Sequence, residues 1–271
     1  MNANKKKILL TNDDGIKSMG LLSLYDELSK FADVTVISPH IQRSGEGKAI
    51  TFNKILRLEE EVLKNGVKGY TISGTSADAI IFAVNSLKEG PFDFVVAGIN
   101  QGLNISSHIV LSSGTCAAAF EGAFYGLRSI AFSMDTSSEH YFGRPHKETF
   151  KVPAKIAGRF VKSLLEKSYP KGLAFPNVNF PQDVQLDSPI KMTTLAPRLI
   201  DFKPEKRKDP RNKDYYFIWG EITEAIPKGS DVREILAGNI SVTPICLDFT
   251  FSTSSTKNFL QKIITKIEKT K

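Results

Sequence analysis

Carboxylate, hydroxyl and amide side chains occur in three short polar segments, each of which follows a predicted β-strand. Asp13 and Asp14 follow the first strand, Ser44 lies after the second, and Asn100 lies after the third. Oxygen ligands of these types suit a hard cation such as Mg²⁺ or Mn²⁺ better than zinc. Two adjacent carboxylates also repel each other, and a cation between them removes that repulsion. The residues therefore indicate a divalent-cation site, with an ordinary helix N-cap at Asp13 or Asp14 as the alternative.

Short apolar runs alternate with helical patterns through the first half of the chain, as expected for βαβ units. Strands are predicted over 8–11, 34–37, 92–97 and 129–133, and helices over 21–31, 76–87 and 113–127. Such alternation predicts an α/β doubly wound, mostly parallel sheet with helices on both faces. In that fold, ligands bind beyond the carboxyl ends of the strands, near the point where strand order reverses. We therefore expect the three polar segments to meet at one edge.

Two further segments could take part in phosphate chemistry. Ser113 and Thr115 stand at the start of a predicted helix, whose free N–H groups could bind an anion, although an ordinary N-cap is the alternative. Neither a Walker pattern nor a dinucleotide fingerprint is present. His108 lies between these residues and Asn104, either as a general acid or base or as a loop histidine on the surface.

The chain divides into three predicted regions. Residues 5–185 form the α/β core, with a helix opened by Pro153. Residues 186–240 contain β-type segments without a regular helix and form a projecting arm for oligomerisation. Residues 241–271 form a strand and a basic amphipathic helix that docks back on the core. Basic residues of the arm, over 203–213, could contact nucleic acid, but interleaved acidic residues favour a solvated arm, so no nucleic-acid partner is expected.

The composition is that of a globular chain. It has 271 residues, 41% of them hydrophobic, and a formal net charge of +7. Collagen-like, coiled-coil, disordered and disulfide-scaffold classes are excluded. No apolar run is long enough to span a membrane, and the basic start leads into the first strand rather than a signal peptide. The two distant cysteines, Cys116 and Cys246, suggest a reducing, cytoplasmic compartment.

Several motifs, in order along the chain, resemble those of the SurE family, the survival-protein nucleotidases. They are the opening over 8–16 (ILLTNDDGI), Arg43-Ser44, Gly74 to Asp78, the glycine-rich run over 98–104, Ser113 to Thr115, Ala118 to Gly122, and Ser241 to Pro244. The resemblance implies a Rossmann-like core and a divalent-metal-dependent phosphatase that hydrolyses nucleoside monophosphates. It also implies a dimer or tetramer with an arm exchanged between subunits. The metal ligands of the family carry over to Asp13, Asp14, Ser44 and Asn100.

The working hypothesis is phosphomonoester hydrolysis by a 5′-nucleotidase, and the sequence leaves open whether 3′-nucleotides are substrates as well. Asp13 would be the nucleophile or general base, and Asp14 would anchor the metal. Three residues would hold phosphate oxygens: Asn104, Ser113 and Thr115. Two alternatives belong to other classes. One is a non-catalytic nucleotide- or flavin-binding module of flavodoxin type, and the other is an RNA-binding protein that uses the basic arm.

The chain departs from the family pattern at two places. Ser76 stands where the family usually has proline, in the run Thr75-Ser76-Ala77-Asp78. The segment over 104–113 is one residue longer than usual and carries His108 where an acidic residue is common. Both changes concern the substrate side of the site and leave the predicted metal ligands in place.

Overall fold

The computed structural model describes residues 5–63, 66–136, 147–223 and 225–269. The strands in chain order are β1 (Lys7–Thr11), β2 (Asp33–Pro39), β3 (Leu58–Val62), β4 (Lys68–Ile72), β5 (Phe94–Gln101), β6 (Arg128–Met134), β7 (Phe175–Phe180), β8 (Ile190–Met192), β9 (Ile200–Lys208), β10 (Asp214–Ile222) and β11 (Ile240–Ile245). The helices are α1 (Met19–Leu28), α2 (Ser76–Ser86), α3 (Ser106–Ser112), α4 (Gly114–Phe124), α5 (Lys151–Leu165), α6 (Asp231–Leu236) and α7 (Ser254–Glu268). A 3₁₀ turn, Lys147–Phe150, precedes α5.

Nine strands form one sheet in the order β3-β4-β2-β1-β5-β6-β7-β11-β8. Within the described residues, six of the eight strand pairs of this sheet are parallel. The chain leaves β1 towards β2 on one side and returns to β5 on the other side. Strand order therefore reverses between β1 and β5, and their carboxyl ends flank the crevice in which such folds bind ligands.

Successive side chains of β1 pack into two separate hydrophobic cores, one on each face of the sheet, because side chains alternate across a strand. Ile8 and Leu10 belong to the core covered by α1 and α5. Leu9 belongs to the core on the opposite face, which is covered by α2 and α4. Burial of both faces explains why the strands are continuously apolar. The prediction of a Rossmann-like, doubly wound, mostly parallel α/β sheet is confirmed.

The first turn of α1 packs very closely on the end of β5. A Cβ atom at Gly20 would lie 2.0 Å from the carbonyl oxygen of Ile99, so only glycine fits at this crossing. Ser18 caps α1 by accepting a hydrogen bond from the amide of Leu21. The alternative reading of the acidic pair as this helix's N-cap is therefore wrong.

The arm is a two-stranded antiparallel hairpin of β9 and β10, as the fold prediction expected. Its side chains are largely exposed, including Tyr216, Phe217 and Ile218. The expectation that residues 186–240 contain no regular helix is wrong. Helix α6 follows the hairpin, and Ser230 caps it by accepting from the amide of Arg233. The N-cap serine with acidic residues in the first turn is the signal that marks this helix.

The last region differs from the prediction in one respect. Strand β11 lies inside the sheet, between β7 and β8. Helix α7 forms, but none of its residues is buried, so the expected return of this helix to the core does not occur within one chain. Its apolar residues are all exposed, namely Phe259, Leu260, Ile263, Ile264 and Ile267. Among the described residues, no helix is both long and apolar enough to cross a bilayer.

Candidate active site at the sheet switch point

A tight turn after β1 presents the two acidic residues at the switch point. Asn12 holds this turn: its side-chain oxygen accepts from the amide of Gly15, and its side-chain nitrogen donates to the Gly15 carbonyl and to Ser18. Gly15 has a φ of 94°, which a residue with a side chain rarely adopts. The turn therefore fixes the positions of Asp13 and Asp14.

The N-terminus of α4 lies directly against Asp13. Thr115 donates a short hydrogen bond from its hydroxyl to a carboxylate oxygen of Asp13. A Cβ at Gly114 would lie 2.7 Å from the Cβ of Asp13, so the helix can come this close only with glycine at its first position. The positive end of the helix dipole therefore faces the carboxylate. Ser113 caps the same helix by accepting from the amide of Cys116, which fits the N-cap alternative.

Asp14 is connected to the two other polar segments. One of its oxygens accepts from the backbone amide of Gln101 at 3.2 Å, and the other accepts from the side-chain nitrogen of Gln42 at 3.3 Å. The same nitrogen of Gln42 donates to the hydroxyl oxygen of Ser44 at 2.9 Å. In addition, the amide of Arg43 donates to the carbonyl of Asp13 at 2.7 Å. The segment after β2 and the end of β5 thus meet the acidic turn, as the strand-end argument predicts.

Asn100 lies at the end of β5, where the register with β6 shifts between Ala97 and Asn100. Its side-chain nitrogen donates to the carbonyl of Gly102 at 2.8 Å. This orients the amide and leaves its oxygen without a hydrogen-bond donor among the described residues. Asp14 and Ser44 thus share a hydrogen-bond partner, and Asn100 directly precedes Gln101, whose amide contacts Asp14. That these residues and Asp13 together bind a metal stays a prediction.

The electrostatics of this site favour a bound cation. Burial raises the pKa of Asp13. Burial, and then the neighbouring charge of Asp13, raise the pKa of Asp14 to about 7. Neither carboxylate forms an ion pair with a lysine or arginine within the part of the chain that the structure describes.

The donor set restricts which metal could bind. Over the described ranges, no group of three or more His, Cys, Asp or Glu side chains is placed to hold a metal. A cation at this site would therefore rely on two carboxylates and neutral oxygens. That set fits Mg²⁺ or Mn²⁺, which keep several water ligands, and it does not fit a zinc site built from histidine and cysteine.

Asn104 is buried and forms several hydrogen bonds to the neighbouring strands. Its side-chain nitrogen donates to the hydroxyl of Ser133 at 2.8 Å, and its amide donates to the side-chain oxygen of Asn179 at 2.8 Å. Its carbonyl accepts from Asn177 and Asn179. These contacts fix the start of the segment over 104–113. Its role in phosphate binding stays a prediction.

The segment between Asn104 and Ser113 is helical rather than a loop, which corrects the reading of His108. Helix α3 begins at Ser106, whose amide donates to the buried carboxylate of Asp231 at 2.7 Å. His108 lies on this helix, and its ring meets the ring of Phe202 edge-on at 5.3 Å between centroids. His108 thus contacts the base of the hairpin.

Two residues that hold the site together are not among the residues predicted from the sequence. Gln42 bridges Asp14 and Ser44, and Asn12 holds the acidic turn. Both are neutral amides, a type that is common in surface loops. Their positions in the sequence could have identified them, because Asn12 stands directly before the acidic pair and Gln42 stands two residues before Ser44.

The fold and the site together define a doubly wound α/β protein with an acidic, oxygen-rich site at the switch point of its sheet. The family described as survival protein SurE matches residues 8–201 of this chain. The chain belongs to this family.

Related proteins match over nearly the whole chain. The 5′-nucleotidase SurE of Methanosarcina barkeri is 38% identical over 250 residues, which cover 90% of this chain and 93% of that protein. The 5′-nucleotidase SurE of Archaeoglobus fulgidus is 37% identical, over 91% of this chain and 93% of that protein. The crystal structure of the SurE protein from Aquifex aeolicus superposes with a TM-score of 0.77 at 30% identity, covering 94% of this chain and 99% of that one.

Proposed function

We propose that this chain is a divalent-metal-dependent phosphomonoesterase that hydrolyses nucleoside monophosphates to nucleoside and phosphate, as a 5′-nucleotidase that also accepts 3′-nucleotides. The observation that carries the proposal is the contact of Asp13 with the N-terminus of α4, through Thr115 and Gly114. It combines a buried carboxylate with an anion-binding helix end at the switch point of the sheet. The 5′-nucleotidase names of the relatives support the same activity.

The metal would be held by Asp13, Asp14, Ser44 and Asn100, and Mg²⁺ or Mn²⁺ is the proposed ion. When bound, it supplies charge neutralisation at the phosphoryl group and lowers the pKa of bound water. Gln42 and the amide of Gln101 hold Asp14 in place for this role. Asn100 keeps its amide oxygen available because its nitrogen is engaged with Gly102.

Asp13 is the proposed nucleophile or general base. Its carboxylate is buried and oriented by the hydroxyl of Thr115, so one oxygen is fixed and the other lies against Gly114. In either role, the fixed geometry aligns the reacting oxygen before the substrate arrives. Ser113 and Thr115, at the N-terminus of α4, receive the phosphate oxygens together with Asn104.

The flavodoxin-type alternative is less well supported. A simple phosphate cradle at Ser113 to Thr115 would place an anion next to the buried carboxylate of Asp13, which forms no ion pair among the described residues that could offset the two charges. A hydrolase that binds a divalent metal at the same place avoids this repulsion. A yellow chromophore, or nucleotide retention without phosphate release, would favour the alternative.

The assay that tests the proposal is phosphate release from a panel of 5′- and 3′-nucleoside monophosphates, with Mg²⁺, Mn²⁺ or EDTA. We expect turnover with either metal, none with EDTA, and none for Asp13→Asn at unchanged thermal stability. Wild-type rates in Asp13→Asn would overturn the catalytic assignment.

The proposal includes self-association as a dimer or tetramer and a cytoplasmic location. The exposed apolar residues of the hairpin and of α7 support self-association, because patches of this kind mark interaction surfaces. Both cysteines are unpaired, Cys116 in the core and Cys246 on the surface, which supports a reducing compartment.

A further inference from the structure

Two asparagines on β7, Asn177 and Asn179, are completely buried. They are two positions apart on the strand, so both side chains lie on the face of the sheet to which Phe175 belongs, the face covered by α2 and α4. Burial of an amide side chain is unfavourable unless its polar atoms form hydrogen bonds. The partners of these two amides therefore indicate why polar residues stand between the apolar residues of this strand.

Asn179 binds the backbone of Asn104 with both ends of its side-chain amide. Its oxygen accepts from the amide of Asn104 at 2.8 Å, and its nitrogen donates to the carbonyl of Asn104 at 3.2 Å. A backbone amide only donates and a carbonyl only accepts, so these two contacts fix the orientation of the asparagine side chain. The reciprocal pair holds the main chain of Asn104 on both sides of its Cα atom.

Asn177 connects the same residue to α4. Its side-chain nitrogen donates to the carbonyl of Asn104 at 2.7 Å, and its oxygen accepts from the thiol of Cys116 at 3.7 Å. Cys116 lies in the first turn of α4, where its amide donates to the hydroxyl oxygen of Ser113. Asn177 therefore lies between Asn104 and the N-terminus of this helix.

The side chain of Asn104 is oriented from the neighbouring strand. Its nitrogen donates to the hydroxyl of Ser133 on β6 at 2.8 Å, and Ser133 is the register partner of Asn179 on β7. The amide nitrogen carries two protons. Ser133 takes one of them, and the other can be donated to a phosphate oxygen.

We propose that Asn177 and Asn179 are positioning residues for the phosphate group. The residues proposed to bind phosphate come from two segments, because Asn104 follows β5 whereas Ser113 and Thr115 begin α4. The two buried asparagines hold these segments in a fixed relation, so the donors are in place before the phosphate binds. Neither asparagine contacts the substrate itself. This inference rests on the proposed function, whose phosphate residues it connects.

The test measures the binding of inorganic phosphate, which requires no hydrolysis. Phosphate is titrated by calorimetry into the full-length wild type, Asn177→Ala and Asn179→Ala, with Mg²⁺ present. Thr193→Val is the matched control, because Thr193 is also buried and the change removes its contacts with Ser241 at 2.8 Å and Thr243 at 2.7 Å. Melting temperatures with and without Mg²⁺ separate a loss of stability or of metal binding from a loss of phosphate binding.

We expect each asparagine variant to bind phosphate about tenfold more weakly than the wild type, as for the loss of about one hydrogen bond. Mg²⁺ should raise the melting temperature of these variants by as much as that of the wild type. Thr193→Val should lose stability and keep its phosphate affinity. If Asn179→Ala does not fold, Asn177→Ala decides the question, because it leaves the reciprocal pair intact.

The contrary outcomes are distinct from one another. Lower melting temperatures with unchanged phosphate affinity in the asparagine variants would reduce their role to stability and overturn the inference. A wild type that binds no phosphate would overturn it as well. If the asparagine variants bind phosphate more weakly as expected, and the wild type hydrolyses no nucleotide, the positioning role stands and the proposed function fails.

Discussion

Thr115 donates a hydrogen bond to Asp13 although 102 positions separate the two residues in the sequence. Asp13 follows the central strand β1, and Thr115 lies in the first turn of α4. The contact therefore joins the acidic turn to the helix that receives the phosphate in the proposed function. Both groups are buried, so the bond is shielded from water and strongly orients the carboxylate.

Replacing Thr115 by valine removes this hydrogen bond while keeping the shape of the side chain. A hydrogen bond to a charged group contributes about 1.5–3 kcal/mol, which corresponds to roughly 10- to 100-fold in rate. We therefore expect Thr115→Val to lower kcat for phosphate release by that factor. Thr115→Ser retains the hydroxyl and should keep most of the activity. Equal rates in all three proteins would show that Thr115 does not orient Asp13 for the reaction.

Asp14→Asn should weaken metal binding without preventing the protein from folding. In EDTA, loss of one of two adjacent buried charges is expected to raise the free energy of unfolding by about 1–3 kcal/mol, the order of one like-charge pair. Mg²⁺ should raise the melting temperature of the wild type, because a ligand that binds only the folded state stabilises it. The variant should show little response. A response to Mg²⁺ equal to that of the wild type would exclude Asp14 as a ligand.

Asp231 anchors the segment between the site and the hairpin, so its removal should cost stability. Its carboxylate accepts from the amides of Ser106, Ala196 and Val232 at 2.7–2.9 Å. Asp231→Ala leaves these buried donors unsatisfied, and we expect a loss of about 3 kcal/mol in urea unfolding. Asp187→Ala, at an exposed position, should stay within about 0.5 kcal/mol of the wild type. A similar effect of the two variants would contradict the anchoring role.

The exposed hairpin should carry part of the subunit contact. Ile218 is 76% exposed on β10, and Ile218→Asp places a charge on the apolar surface of the arm. Light scattering should show a dimer or tetramer for the wild type and a lower molar mass for the variant. Ile55→Asp is the control, because Ile55 is 80% exposed and lies outside the hairpin. An unchanged mass for Ile218→Asp would place the contact elsewhere, with α7 as the next surface to test.

The strand pattern was sufficient to predict which polar segments meet. Apolar runs buried on both faces are recognisable, and the rule for open parallel sheets then places Asp14, Ser44 and Asn100 at the same edge. The N-terminal cap of α2 can also be predicted from the sequence. Thr75 and Asp78 form the reciprocal capping box that their spacing indicates.

Other features depend on tertiary contacts that leave little trace in local sequence. Strands β3 and β4 form an edge hairpin that was not predicted, because charged residues over 58–62 mask the strand pattern. The local sequence does not predict helix α3, because the helix is short and starts at Ser106, whose φ is 68°. That start is held by Asp231, which follows it by 125 residues.

The close crossing at Gly20 has a consequence for how the site responds to a cation. The carbonyl of Ile99 leaves no room for a Cβ atom at Gly20, so α1 packs tightly against the end of β5. This contact lies next to the turn that carries both aspartates. In the proposed function, the ligand oxygen atoms at the ends of β1 and β5 would then be in position before a cation binds. Binding of the cation should then need no rearrangement of the backbone. The rate of cation binding should therefore be set by the exchange of water on the ion.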